Sequence, residues 1–168
     1  IGLADLYIPE AQGEYSAVLL FLGVNPAGRD DPRVVGLAEG LARTGTVVMI
    51  PWSDKMTQNL VTTEDINNLV GAFEYLQSLS FVNADKIGVA GFCVGAAFVT
   101  VAAQDQRIRD EVRFVNFFGG YFDALDLIKA VVTKRRFYKG VAEVWNPDSL
   151  SVDVVKKHLI GSVQNEHE

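Results

Sequence analysis

The stretch Ile87-Gly88-Val89-Ala90-Gly91-Phe92-Cys93-Val94-Gly95-Ala96-Ala97 constrains the fold more than any other part of the chain. A short β-branched run leads into a cysteine with glycine two residues before and two after, and small residues follow at helical spacing. That order reads as a strand, a sharp turn with a nucleophilic side chain at its tip, and a helix. The central residue of such a turn is strained, and the flanking glycines remove Cβ atoms that would collide with the neighbouring strand and helix. Cys93 then stands at a helix N-terminus, where backbone N–H groups and the helix dipole favour a thiolate and can hold a developing oxyanion. The N–H of Val94 is the natural first donor. A lone cysteine is also read as an inert buried hydrophobe, and the glycine frame is what favours the nucleophile position here. Gly88, Gly91 and Gly95 do not meet the Gly-x-Gly-x-x-Gly spacing of a dinucleotide loop.

The rest of the chain supplies a sheet for such a turn to sit on. Ala17 to Leu22, Val47 to Ile50, Ile87 to Ala90 and Phe114 to Phe118 are short, nearly continuous apolar runs, as expected for central strands covered on both faces. Leu3 to Ile8 alternates and reads as a strand nearer an edge. Between them lie helical segments: Asp31 as N-cap with Pro32 at the first position and Gly45 past the end, then Thr62 and Asp65 as a capping box. A third helix, Val94 to Gln104, is apolar almost all round and belongs inside. This alternation predicts a three-layer α/β sandwich with a mostly parallel sheet. After Phe118 it decays: Phe122 to Val132 and Ser149 to Leu159 read as helices, and no buried strand follows.

The chain of 168 residues has a formal charge of −6, which disfavours nucleic acid or an anionic membrane as partner. Its one basic cluster, Lys134-Arg135-Arg136 with Lys139, reads as a solvated loop or helix end. A single cysteine forms no internal disulfide, so a cytoplasmic home is expected, and no apolar run has the length of a membrane span. One domain over residues 1–168 is expected, with 119–160 as a helical cap region.

Gly91-Phe92-Cys93-Val94-Gly95, preceded by Asn83-Ala84-Asp85-Lys86-Ile87-Gly88-Val89, resembles the elbow region of the dienelactone hydrolase family within the α/β-hydrolase superfamily. Gly23-Val24-Asn25-Pro26 through Ala42-Arg43-Thr44-Gly45-Thr46-Val47-Val48 resembles the oxyanion loop, first helix and next strand of that fold, over about residues 1 to 120. The resemblance implies hydrolysis of a small ester or lactone by a Cys-His-Asp triad, without metal or organic cofactor. It makes the main chain of Val24 the second oxyanion donor; the plainer reading of Gly23 and Pro26 is an ordinary turn after a strand.

The acid and histidine of that superfamily follow the nucleophile on later strands, and here those C-terminal strands read as missing. His158 lies within an apparent helix and His167 in a polar tail, so both read as surface histidines. Asp123 is either an acid drawn from the preceding strand end or an N-cap, with the cap favoured. Tyr121, Phe122, Phe137, Tyr138 and Trp145 either line an acyl pocket or are plain core. If the last strands are missing, Phe114 to Phe118 becomes an open edge and self-association is expected. Two alternatives accompany the hydrolase reading: a catalytically silent α/β-hydrolase-like binding module, and a class I glutamine amidotransferase, whose His-x-Glu pair His167-Glu168 does not match.

Overall fold

The computed structural model describes residues 2–165, with side chains described through residue 161. Its main sheet has the order β1-β3-β2-β4-β5, built from β1 (Leu3–Tyr7), β2 (Tyr15–Phe21), β3 (Thr46–Trp52), β4 (Val82–Phe92) and β5 (Val115–Phe118). The four inner and C-terminal strands run parallel, and β1 pairs antiparallel with β3 at one edge. The mostly parallel α/β architecture expected from the sequence is therefore present.

β2 shows why its continuous apolar run is needed. Ala17, Leu19 and Phe21 enter one core with α3 (Glu64–Gln77) and α4 (Val94–Ala102). Val18 and Leu20 enter the other with Val34 and Ala38 of α1 (Pro32–Arg43). Because successive side chains point to opposite faces, a strand covered on both sides has no position to spare for a polar residue. α1 begins as the sequence predicts: Asp31 accepts from the Arg33 N–H, Pro32 occupies the first turn, and Gly45 follows at φ 88°.

The crossovers fix where a site can form. From β2 the chain passes through α1 on one face, whereas from β4 it passes through α4 on the other. β2 and β4 are neighbours whose crossovers leave to opposite faces, and the carboxyl ends of such a strand pair are the usual ligand position in an open α/β sheet.

Four expectations are corrected. The capping box at Thr62 and Asp65 does not form: Thr63 caps α3 without a side-chain bond, while Asp65 turns inward and accepts from the Ser53 hydroxyl at 2.8 Å. A buried hydroxyl is the stronger claim on that carboxylate than an exposed helix end. Phe114 to Phe118 is not a strand covered on both faces; β5 is an edge, with Val115 44% and Phe118 64% exposed. The basic cluster is a helix end only at Lys134, which caps the C-terminus of the helix Ala124–Thr133. Arg135, Arg136 and Lys139 belong to a hairpin of β6 (Arg135–Tyr138) and β7 (Val141–Val144), whose turn residues Lys139 and Gly140 have φ 47° and 80°. Two positive φ values match the turn that suits the twist of a hairpin. The region 119–160 is thus not purely helical: α5 (Ala124–Thr133), the hairpin, and α6 (Ser149–Asn165), which runs beyond it. A short α2 (Asp54–Thr57) completes the elements.

Candidate active site

Cys93 is the hinge between β4 and α4, and its backbone is at φ 54° and ψ −134°. For a residue with a Cβ this conformation costs about 1–3 kcal/mol, and it persists only where the surroundings over-determine it. Here they do. The Cys93 N–H donates to the Phe118 carbonyl at 3.0 Å, and the Cys93 carbonyl accepts from the Ala96 N–H at 3.0 Å. The strain turns the side chain outward, and Cys93 is exposed while Val94 beside it is buried.

Both flanking glycines are required by contact. A Cβ on Gly91 would lie 2.5 Å from the Ala96 Cα, and one on Gly95 would lie 2.5 Å from the Phe21 carbonyl oxygen and 2.6 Å from the Gly23 nitrogen. The second measurement also places the loop after β2 directly against the elbow. Gly23 itself has φ 72°, and a Cβ there would stand 2.7 Å from the Gly95 nitrogen. Val24 follows, buried, in the same core cluster as Val94. The three residues singled out from the sequence, Cys93, Val94 and Val24, are therefore brought close together at the carboxyl ends of β2 and β4. Gly88 has a different reason for being small: a Cβ there would meet the Phe114 ring at 2.2 Å.

The loop after β5 packs against the start of α4. Gly120 is pressed on the first turn of α4, where its Cβ would come within 2.8 Å of the Ala96 Cβ. Tyr121 follows and packs on the core that holds Val24 and Val94. Burial pushes its phenol up, with a smaller contribution from the neighbouring Cys93, so the hydroxyl stays protonated and can donate at neutral pH. Phe122 is fully exposed and Phe137 and Tyr138 project from the hairpin at 47% and 69% exposure, so neither plain core nor a closed acyl pocket describes them. An open groove of about 620 Å³ lies elsewhere, lined by Tyr7, Glu10, Tyr15, Glu39 and Arg43 at the opposite ends of β2 and β3. It contains no elbow residue.

No described residue completes a triad. Asp123 is an N-cap, accepting from the N–H groups of Leu125 and Asp126 at 2.8 and 3.3 Å. His158 is half-buried rather than free on the surface, and its Nε2 accepts from the Val61 N–H at 2.9 Å. That bond ties α6 to the loop before α3 and occupies the lone pair a general base would use. His167 lies outside the described residues. Among those residues no group of three or more His, Cys, Asp or Glu is arranged to hold a metal ion, and no helix is long and apolar enough to cross a membrane.

The same architecture recurs in solved structures. The structure of DcsB in complex with its substrate analogue superposes with a TM-score of 0.59 at 18% identity, covering 77% of this chain and 45% of that one. The 2,6-dihydroxy-pseudo-oxynicotine hydrolase gives a TM-score of 0.59 at 16% identity, covering 92% and 42%. Est1E from Butyrivibrio proteoclasticus gives 0.52 at 22% identity, covering 66% and 43%. These likenesses establish the fold, and the chain spans less than half the length of each of these proteins. No curated protein matches the chain. A match that takes in most of β3, the strained elbow and the loop after β5, over residues 48–143, makes this chain a member of the dienelactone hydrolase family.

Proposed function

We propose that this chain carries the nucleophile and the oxyanion-binding half of a hydrolase acting on small carboxylic esters or lactones. The observation that supports it is the exposed Cys93 at φ 54°, with the Val24 loop packed against the glycine two residues on. The Cys93 thiolate attacks the ester carbonyl carbon, a C–S bond forms, and the carbonyl oxygen takes up negative charge between the main-chain N–H groups of Val94 and Val24. Collapse expels the alcohol, which takes a proton, and water then cleaves the thioester to the acid and the free thiol. The histidine and carboxylate that move these protons come from outside the described residues. Neither metal nor organic cofactor enters this scheme.

Residues 119–160 form a cap beside the nucleophile in this reading, within a single domain. A neutral small molecule suits a chain with formal charge −6 better than a nucleic acid does. A single thiol and no disulfide suit a cytoplasmic protein. The outer edge of β5, unpaired among the described residues, supports self-association, which sedimentation at several concentrations measures directly.

Hydrolysis of a short-chain aryl ester by the full-length polypeptide tests the reaction. Cys93→Ala is expected to lower kcat/KM at least about a hundredfold. Unchanged turnover in Cys93→Ala and Cys93→Ser removes the proposal and leaves the silent binding module.

A further inference from the structure

The loop that carries Val24 is fastened at three points. Gly23 is packed against the elbow. Asn25 makes its own turn, accepting from the Ala27 N–H at 3.2 Å and donating from Nδ2 to the Gly28 carbonyl at 3.3 Å. Beyond these, Arg29 reaches across to β1. Its Nε donates to Asp5 Oδ2 at 3.0 Å, and its Nη2 is hydrogen-bonded to Asp5 Oδ1. The same Asp5 Oδ2 accepts from the indole N–H of Trp52, at the end of β3, at 2.6 Å. Arg29 therefore meets a carboxylate through both oxygens, the paired geometry that fixes direction as well as distance. Arg29 holds the Asp5 carboxyl below the usual carboxylate range, against the opposing effect of burial, and Trp52 adds to the lowering. Two residues far apart in sequence, Arg29 and Trp52, thus converge on the one Asp5 side chain at the edge of the sheet.

Nothing in the architecture demands this convergence. β1 is already paired with β3 along its whole length, and α1 is already capped by Asp31. What the cluster adds is a fixed far end for a loop that otherwise runs from β2 to α1 with few bonds of its own. We propose that Arg29, Asp5 and Trp52 form a clamp that positions the Val24 N–H at the oxyanion site, so that residues at the β1 edge act on the reaction through the loop. They are positioning residues and do not touch substrate.

This rests on the reading of Val24 as an oxyanion donor, and two probes separate the clamp from that reading. An aryl trifluoromethyl ketone adds reversibly to the Cys93 thiolate and places an oxyanion among the donors, so its affinity reports the donor geometry. Iodoacetamide alkylates the same sulfur without an oxyanion and reports the thiol alone. In the full-length polypeptide, Arg29→Ala and Trp52→Phe are each expected to weaken the ketone adduct about tenfold while leaving the alkylation rate within about twofold, because misplacing one donor leaves the nucleophile intact. The double variant is expected to be little worse than either single one, since both act through Asp5. Ketone affinity unchanged in both variants overturns the clamp. So does a parallel loss of ketone affinity and alkylation, which marks the cluster as general scaffolding. If the unsubstituted protein forms no ketone adduct on Cys93, the oxyanion reading itself fails and the clamp falls with it.

Discussion

The two ends of this chain use apolar residues in opposite ways. Over β2, β3, β4, α3 and α4 they are nearly all buried, from Ala17 and Val47 to Phe73 and Val99, each without measurable exposure. From β5 to β7 the same residue types face outward: Phe118 is 64% exposed, Leu125 76% and Val144 79%. Within that second region α5 buries only Val131, and α6, which follows it, only Val155 among their described residues. Composition alone does not distinguish the regions. What differs is whether a second layer covers the strand, and the elbow lies on the covered side of the boundary, with the β5 loop packed against the start of α4. The strain at Cys93 is affordable because β2, β4 and α4 hold it from behind.

Paired substitutions test that contrast. Phe73→Ala is expected to destabilise by about 3–5 kcal/mol, whereas Phe122→Ala changes stability by less than about 0.5 kcal/mol, measured by urea denaturation. Similar values for the two break the comparison at its root. Next come the glycines. Gly95→Ala drives a Cβ into the backbone of the β2 loop and is expected to cost about 3 kcal/mol or more, with loss of thiol reactivity. Gly140→Ala meets nothing and carries only the cost of its positive φ, about 1–2 kcal/mol.

A third substitution addresses how the regions are joined. α6 reaches the first region through the Val61 N–H to His158 bond and through Lys157 Nζ, which donates to the Gln58 carbonyl at 2.7 Å. His158→Ala leaves a half-buried N–H unpaired and is expected to cost about 1–2 kcal/mol, with faster amide exchange in α6 and no change in β2 or β4.

The smallest effect is electrostatic. Hydrogen bonds from Arg107 lower the Asp105 pKa from 3.8 to about 2, and Arg107 also donates to Asn67 of α3 at 2.9 Å. A carboxyl whose pKa is depressed on folding contributes stability that is present above its unfolded value and lost as pH falls through its folded one. The contribution of this exposed pair therefore fades between about pH 4 and pH 2, and Asp105→Asn is expected to flatten the acid limb slightly there.

Much of this was legible in the sequence because the covered region obeys simple periodicities. β2, β3 and β4 are apolar runs, α1 carries its caps in plain view, and the glycines around Cys93 announce the elbow. The failures have physical causes. Asp65 looked like part of a capping box because a sequence does not show that Ser53 offers it a buried hydroxyl. The hairpin escaped notice because Lys139-Gly140 replaces the usual Asn-Gly, and a run of cations reads as solvated surface whatever its backbone does. β5 looked central because an apolar strand carries no mark of whether a neighbour covers it. The meeting of Asp5, Arg29 and Trp52 depends on β1 and β3 lying side by side, which only the assembled sheet reveals.

The claim on which the functional reading depends is that the Cys93 sulfur, held out on its bent backbone, accepts an acyl group. Brief exposure of the native full-length polypeptide to p-nitrophenyl acetate, followed by acid quench and peptide mass spectrometry, measures it directly. An acetyl group on Cys93 that forms much faster than in the urea-unfolded chain is the result expected. Acetylation confined to lysines, or a Cys93 that acylates no faster folded than unfolded, contradicts it.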